Sequence, residues 1–294
     1  MTGVDWSLAR ADPQALREAG HFIAEGRLVL ERILAGAVGG PDAIVEVLAT
    51  PAAARALALE SRLPDRLTVR TPAEMEALTG FNFHRGVLAL VRRPAMTAVT
   101  EIVDTVTARS RLRPGCGGQA ESGPYPVSRA YPARWPVLVV AEHLVDVDNV
   151  GSCFRNARAF GAAGMLLDER CPDPLYRKAV RTSLGHVLEV PWSQAPIADI
   201  LAVLHARRVT TVGLTPGGDA RTQAPEDLRT LTAHLDHSRP VAVVVGNEGS
   251  GLSMETMARC THLARIPMAE GADSLNVATA LAVALYQFRE GSGL

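Results

Sequence analysis

The sequence predicts an α/β protein, with a helix-covered parallel sheet in its C-terminal half and a smaller α/β domain ahead of it. Three observations carry this. After residue 136, continuous apolar runs such as Val137–Ala141 and Val241–Val245 alternate with helical stretches, the pattern of strands buried on both faces. Before residue 94, shorter β-rich runs alternate with helices. Between the two, Pro114, Gly115, Gly117, Gly118, Gly123, Pro124, Pro126, Pro132 and Pro136 are too dense for a regular element. These features place a small domain over 15–94, a Pro/Gly-rich linker over 95–136 and a sheet domain over 137–294.

In the first domain, Phe22–Gly26 leads into an amphipathic run, Arg27–Ala37, and Ala43–Leu48 reads as a strand. Pro51–Leu63 is an Ala-rich helix with proline at its start, where a missing N–H costs nothing. Arg66–Arg70 is a short alternating strand, Thr71-Pro72-Ala73-Glu74 has the pattern of a capping box, and Gly86–Val91 is a further β-rich run. The linker opens with a short helix over Val99–Ala108. In the third segment, strands are expected at Val137–Ala141, Ala163–Leu167, Val187–Val190, Thr210–Leu214, Val241–Val245 and Leu263–Ile266. The last helix, Leu275–Phe288, is apolar on almost every face, as expected of a buried or interface helix.

Composition excludes several classes. The chain has 294 residues, 47% of them hydrophobic, enough for a sizeable core. No apolar run reaches the roughly 18–20 residues of a membrane span, and Met1–Arg17 lacks the apolar core of a secretory signal. A soluble, cytoplasmic protein without a membrane partner is expected. Cys116, Cys153, Cys171 and Cys260 form no CxxC pair and have no histidines at zinc spacing, so free thiols and no metal are expected. The net charge of −1 rules out a global polycation, and any nucleic-acid contact must come from local patches.

Ligands of open α/β sheets sit at the carboxyl ends of strands, so the segments that follow the strands are the informative ones. After Val137–Ala141 comes Glu142 through Ala157, in which Asn149 is a candidate N-cap for a helix through Phe160 carrying Arg155 and Arg158. A capped surface helix with solvated arginines is the bland alternative. After Val241–Val245 comes Gly246-Asn247-Glu248-Gly249-Ser250-Gly251-Leu252-Ser253. Its spacing is GxxGxG, neither a dinucleotide fingerprint nor a Walker loop. Its glycines suit either close approach to a ligand or a tight turn. After Leu263–Ile266 comes Pro267 through Ala280, with Asp273 or Ser274 as a candidate N-cap. Capping at either leaves Asn276, inside the first turn, without an explanation.

Together the three segments resemble the SpoU/TrmH family of RNA ribose methyltransferases in the SPOUT superfamily. The first family motif, Asn-x-Gly-x-x-x-Arg-x-Ala, is matched by Asn149, Gly151, Arg155 and Ala157. The second, Gly-Asn-Glu-x-x-Gly-Leu, is matched by Gly246, Asn247, Glu248, Gly251 and Leu252. The third, Ile-Pro-Met followed by Ser-Leu-Asn-Val, is matched by Ile266, Pro267, Met268 and Ser274 through Val277. The N-terminal segment is similar to the ribosomal-protein-like domain that many members carry. One departure is Asp146-Val147-Asp148-Asn149 where members often have Asp-Pro-x-Asn.

The resemblance implies a trefoil-knotted sheet, a homodimer formed through the knotted domain, and S-adenosylmethionine as cofactor. It assigns Leu214, Thr215, Val245, Gly246, Asn247, Gly251, Ile266, Met268 and Leu275 to the cofactor. Arg155, Asn149, Glu248, Ser274 and Asn276 are assigned to catalysis, the last four orienting Arg155 and the target ribose. Arginine is a poor base, so holding phosphate and stabilising a developing alkoxide suit Arg155 better. His143 and His186 are further candidate proton acceptors, although a lone histidine is more often structural. Under the same resemblance, Arg158, Arg177, Lys178 and Arg181 track RNA phosphates. The bland alternative is a solvated helix face. Phe81–Arg85 could stack on unpaired bases or simply pack. The expected activity is 2′-O-ribose methylation, with 23S ribosomal RNA the favoured substrate. Transfer RNA, or a catalytically silent RNA-binding protein of the same fold, are the alternatives.

Overall fold

The computed structural model describes residues 6, 13–80, 85–111, 136–217, 224–236 and 238–290. Most of the Pro/Gly-rich linker, including Cys116, and the Phe81–His84 part of the expected stacking loop lie outside the described residues. The chain forms two compact units, Met1–Ala95 with Asp173–Glu189, and Met96–Pro172 with Val190–Leu294.

The first unit contains α1 (Pro13–Glu18), β1 (His21–Glu25), α2 (Arg27–Leu34), β2 (Ile44–Ala49), α3 (Pro51–Ala56), α4 (Leu59–Arg62), β3 (Leu67–Val69), α5 (Pro72–Thr79) and β4 (Val87–Arg92). Its sheet has the order β1-β4-β2-β3, with β4 antiparallel to both neighbours and β3 parallel to β2. The expected helix over Pro51–Leu63 is two helices, interrupted where Ala58 adopts φ +50, a region that disfavours continuation. The capping box is present. Thr71 Oγ1 accepts from Glu74 N at 3.3 Å, and Glu74 accepts from Thr71 N at 2.7 Å.

The segment Asp173–Glu189 follows the second unit's strands in sequence but packs with the first, through three acids paired with arginines. Buried Asp173 pairs with Arg93 at 2.8 Å, Glu25 with Arg177 and Arg181, and Glu189 with Arg32 at 2.6 Å. This segment carries α8 (Arg177–Thr182) and a short turn of 3-10 helix over His186–Leu188. The strand expected over Val187–Val190 is therefore absent. Val187 and Leu188 are buried in that turn, and the strand begins at Trp192.

The second unit contains α6 (Val99–Arg111), β5 (Val137–Ala141), α7 (Val147–Phe160), β6 (Gly164–Asp168), β7 (Trp192–Ala195), α9 (Ile197–Ala206), β8 (Thr210–Leu214), β9 (Glu226–Asp227), α10 (Leu228–His234), β10 (Val241–Val245), α11 (Met254–Arg259), β11 (His262–Arg265) and α12 (Val277–Glu290). Its seven strands run in the order β7-β6-β5-β10-β8-β11-β9, with every pairing parallel. The helix that opens the expected linker is part of this core. Ile102, Val103 and Val106 of α6 are buried with Leu138 and Val140 of β5, Leu166 of β6 and Ile200, Leu201 and Leu204 of α9. The order places β5 beside β10, β10 beside β8 and β8 beside β11, so the carboxyl ends of these four strands are neighbours. No helix among the described residues is long and apolar enough to cross a membrane.

Candidate active site

Two loops leave adjacent strand ends and are fastened to each other by their own side chains. After β5, Glu142 is buried and accepts from Ser253 N at 3.0 Å and Thr256 Oγ1 at 2.9 Å. After β10, Asn247 Nδ2 donates to the His143 carbonyl at 2.8 Å. Glu248 accepts from Val145 N at 3.0 Å, Asp146 N at 3.1 Å and Asn149 Nδ2 at 2.9 Å. His143 has φ +49, a backbone strain that these bonds hold in place.

Gly246 permits the second loop to fold on itself. A Cβ there would lie 2.3 Å from the Gly251 carbonyl carbon and 2.4 Å from Leu252 N. The close approach anticipated for this glycine is therefore made to its own chain. Asn247 and Gly251 close the loop with a reciprocal pair of backbone bonds at 3.0 and 2.9 Å. Gly251 has φ +70, where a side chain would be strained.

The structure moves the cap expected of Asn149 to another residue and gives Asn276 a cap the sequence did not predict. The cap of α7 is Asp146, whose side chain accepts from Asp148 N at 2.9 Å. Asn149 lies one turn inside, free to reach across. The cap of α12 is neither Asp273 nor Ser274. It is Asn276, whose Oδ1 accepts from Ala278 N at 2.9 Å and Thr279 N at 3.2 Å. Helix N–H groups only donate, so Asn276 must turn its oxygen to them and its Nδ2 outward. That Nδ2 donates to Asn149 Oδ1 at 2.9 Å, which turns the Asn149 amide nitrogen to the Glu248 carboxylate. The chain Asn276 to Asn149 to Glu248 thus has one polarity and joins all three sequence motifs.

Burial raises the Glu248 carboxyl. The hydrogen bond from Asn149 and those from the backbone outweigh burial and hold it below the usual carboxylate range. An ionised acid with its oxygens occupied is a clamp rather than a proton acceptor. Burial pushes the Cys153 thiol up to about 12, so it stays protonated.

Arg155 lies on α7 two residues past Cys153. It is exposed and makes no hydrogen bond or ion pair among the described residues. Ser274 is exposed and likewise makes no hydrogen bond among them. Asn156, the residue after Arg155, ties α7 to α12 through Nδ2 and the Ala278 carbonyl at 2.7 Å. Of the residues assigned to the cofactor, Leu214 ends β8 and Thr215 follows it, Val245 ends β10 with Gly246, Asn247 and Gly251 after it, Ile266 and Met268 follow β11, and Leu275 precedes α12. Leu214, Ile266 and Met268 are half-buried, Val245 is buried and Leu275 is exposed. Partly exposed apolar side chains beside glycines are chemically suited to a flat adenosine ring.

Other expected residues are engaged elsewhere. Arg177 and Arg181 bond Glu25 in the first unit. Lys178 is exposed, and Arg158 is half-buried on α7. His186 Nε2 faces Arg32 Nη2 at 3.2 Å and must accept, so its Nδ1–H donates to Glu189 at 3.0 Å. That is a structural histidine. Glu142, Asp146 and Asn156 were not singled out from the sequence. An acid directly after a buried strand is the one available signal for Glu142.

Residues 136–286 match the model of the SpoU rRNA methylase family. An uncharacterized tRNA/rRNA methyltransferase of Mycobacterium bovis is 34% identical over 90% of this chain and 79% of its own length. The crystal structure of the SpoU methyltransferase AviRb from Streptomyces viridochromogenes with AdoMet superposes with a TM-score of 0.71 at 22% identity, covering 99% of this chain and 98% of that one. An AdoMet-bound rRNA methyltransferase from Sinorhizobium meliloti gives a TM-score of 0.71 at 23% identity, covering 99% and 94%. The fold is that of the knotted SPOUT methyltransferases. The chain belongs to the SpoU rRNA methylase family, whose members are RNA methyltransferases that use S-adenosylmethionine.

Proposed function

We propose that this chain methylates a ribose 2′-hydroxyl of RNA, with 23S ribosomal RNA as the substrate and the cytoplasm as the place of action. The observation that supports it is the directed chain from Asn276 through Asn149 to Glu248, set beside an Arg155 on the same helix that makes no hydrogen bond or ion pair among the described residues.

S-adenosylmethionine supplies a methyl group already activated on a sulfonium. The protein's task is to place the hydroxyl in line and manage its proton. Arg155 suits this as a fixed cation that grips the target phosphate and steadies negative charge as it develops on the ribose oxygen. Glu248, Asn149 and Asn276 hold α7 and the mouth of α12 in register, and Ser274 supplies a free hydroxyl at that mouth. The proton leaves to phosphate, water or another side chain, because a guanidinium is a poor base and Glu248, held by three N–H donors, lies below the usual carboxylate range. Leu214, Thr215, Val245, Gly246, Asn247, Gly251, Ile266, Met268 and Leu275 form the cofactor seat.

The domain over 15–94 binds the RNA, and Arg158, Lys178 and Arg181 contribute charge, while Arg177 is held by Glu25. The protein works as a homodimer through α12, where Val283 and Tyr286 are exposed on one stripe. Membership of the rRNA methylase family favours ribosomal over transfer RNA.

The test is transfer from tritiated S-adenosylmethionine to unmodified ribosomal or transfer RNA, followed by alkaline hydrolysis. Label in an alkali-resistant linkage of ribosomal RNA is the expected result. Label only in transfer RNA moves the substrate. Alkali-labile label refutes 2′-O chemistry, and cofactor binding without transfer to either pool favours a silent RNA-binding protein.

A further inference from the structure

Resting on the RNA reading above, we infer that Arg85 and Arg181 form an RNA-phosphate seat in the first unit, aimed by the buried carboxylate of Glu25, while Arg177 is its structural member.

Glu25 ends β1 and is 5% exposed. Its Oε2 accepts from Arg177 Nη1 at 3.1 Å and Arg181 Nη1 at 3.3 Å, and its Oε1 lies 3.8 Å from Arg85 Nε. A buried carboxylate needs a cationic partner, and one guanidinium meets that need. Here three guanidinium groups share one acid.

Arg177 is the partner the acid requires. Burial, and behind it the like charge of Arg181, lower its guanidinium from the usual value, against the pull of Glu25. Arg181 is four residues further along α8 and therefore on the same face. Gathering further like charge on one face carries a repulsive cost that an external anion removes.

Arg85 and Arg181 are placed to meet that anion. The Arg85 side chain is 50% exposed and that of Arg181 30%. Neither has another ion-pair partner among the described residues. The Arg85 stem crosses Gly26, where a Cβ would lie 3.5 Å from its Cδ. Each guanidinium carries five N–H donors in a fork, and Glu25 engages only a part of them. The remaining donors match the paired oxygens of a phosphodiester. Glu25 bonds the Arg181 fork and draws Arg85 within ion-pair distance, which lowers the entropy lost when a strand docks.

The experiment measures binding of in vitro transcribed 23S ribosomal RNA to the full-length protein across a salt series, with methyl transfer followed in the same preparations. Arg85→Ala and Arg181→Ala are each expected to lower the slope of log K against log salt by about 0.7–0.9, the loss of one phosphate contact. Both should raise KM for RNA and leave kcat at saturating RNA unchanged. Arg177→Ala is expected to lower the melting temperature. Arg85 lies at the edge of the cluster, so Arg85→Ala keeps the test valid if Arg181→Ala unfolds. An unchanged slope and affinity in folded Arg85→Ala, with wild-type transfer intact, overturns the seat and leaves the activity standing. A wild type that binds cofactor but neither binds nor methylates RNA overturns both.

Discussion

Asn276 donates from Nδ2 to Oδ1 of Asn149 across 2.9 Å, joining the mouth of the last helix to the helix that carries Arg155, although the two asparagines are 127 residues apart in sequence. The bond has a fixed direction because Asn276 must give its oxygen to the N–H groups of α12. Its two ends therefore serve different purposes, capping and positioning, which substitution can separate.

Asn276→Ala removes both purposes. It should cost about 1 kcal/mol of stability through the lost cap and lower methyl transfer. Asn276→Asp keeps a good cap but has no N–H for Asn149. Its stability should stay within about 0.5 kcal/mol of wild type, while transfer falls as in the alanine variant. Urea unfolding and transfer rates on the same samples check this. Equal activity in Asn276→Asp would mean that the bond to Asn149 positions nothing.

Gly246→Ala tests the loop closure. The clash is with backbone, which cannot rotate away, so destabilisation should reach about 3 kcal/mol or more, with cofactor binding lost alongside. Thermal melting with and without S-adenosylmethionine reads both.

Glu248 gives the site a pH signature. Its carboxyl is lowered in the folded protein from the ordinary value of 4.5, so the ionised form stabilises the fold at neutral pH. That contribution is complete above the ordinary value and is lost as pH falls through the lowered one. Glu248→Gln, which leaves one of the Val145 and Asp146 N–H groups without an acceptor, should be less stable at neutral pH. Its deficit should narrow in acid below that range. A denaturation series across pH measures the gap.

The exposed stripe on α12 predicts assembly. Tyr286→Glu and Val283→Glu place charge on a surface expected to be covered by a second copy. Both should shift the protein toward monomer in sedimentation velocity, with the fold retained, because neither side chain is buried within one chain.

Much of this was legible in the sequence, for identifiable reasons. Val137–Ala141, Thr210–Leu214 and Val241–Val245 were found at their observed bounds because buried parallel strands are apolar on both faces. Val187–Val190 is apolar at three of its four residues, but Val187 and Leu188 are buried in a 3-10 turn of the first unit, so composition misled. Glu226–Asp227 is a two-residue strand with no apolar signature. Asn149, Glu248 and Asn276 are brought together, but the cap expected of Asn149 falls to Asp146, and Asn276, expected to do no capping, caps α12. A cap is defined by where the helix begins, and the Asp146 side chain starts α7 earlier than the asparagine suggested. The pairing of Arg177 and Arg181 with Glu25 lay beyond pattern reading, since it joins residues 152 and 156 apart.

The most direct test of the central claim is single-turnover methyl transfer by Arg155→Ala, with S-adenosylmethionine affinity measured on the same protein. Arg155 is exposed on a helix, so the variant should fold within about 0.5 kcal/mol of wild type and bind cofactor normally. Transfer should fall at least about 100-fold, the scale for removing one preorganised charge-stabilising group. Wild-type transfer rates in a folded, cofactor-binding Arg155→Ala protein would contradict the account.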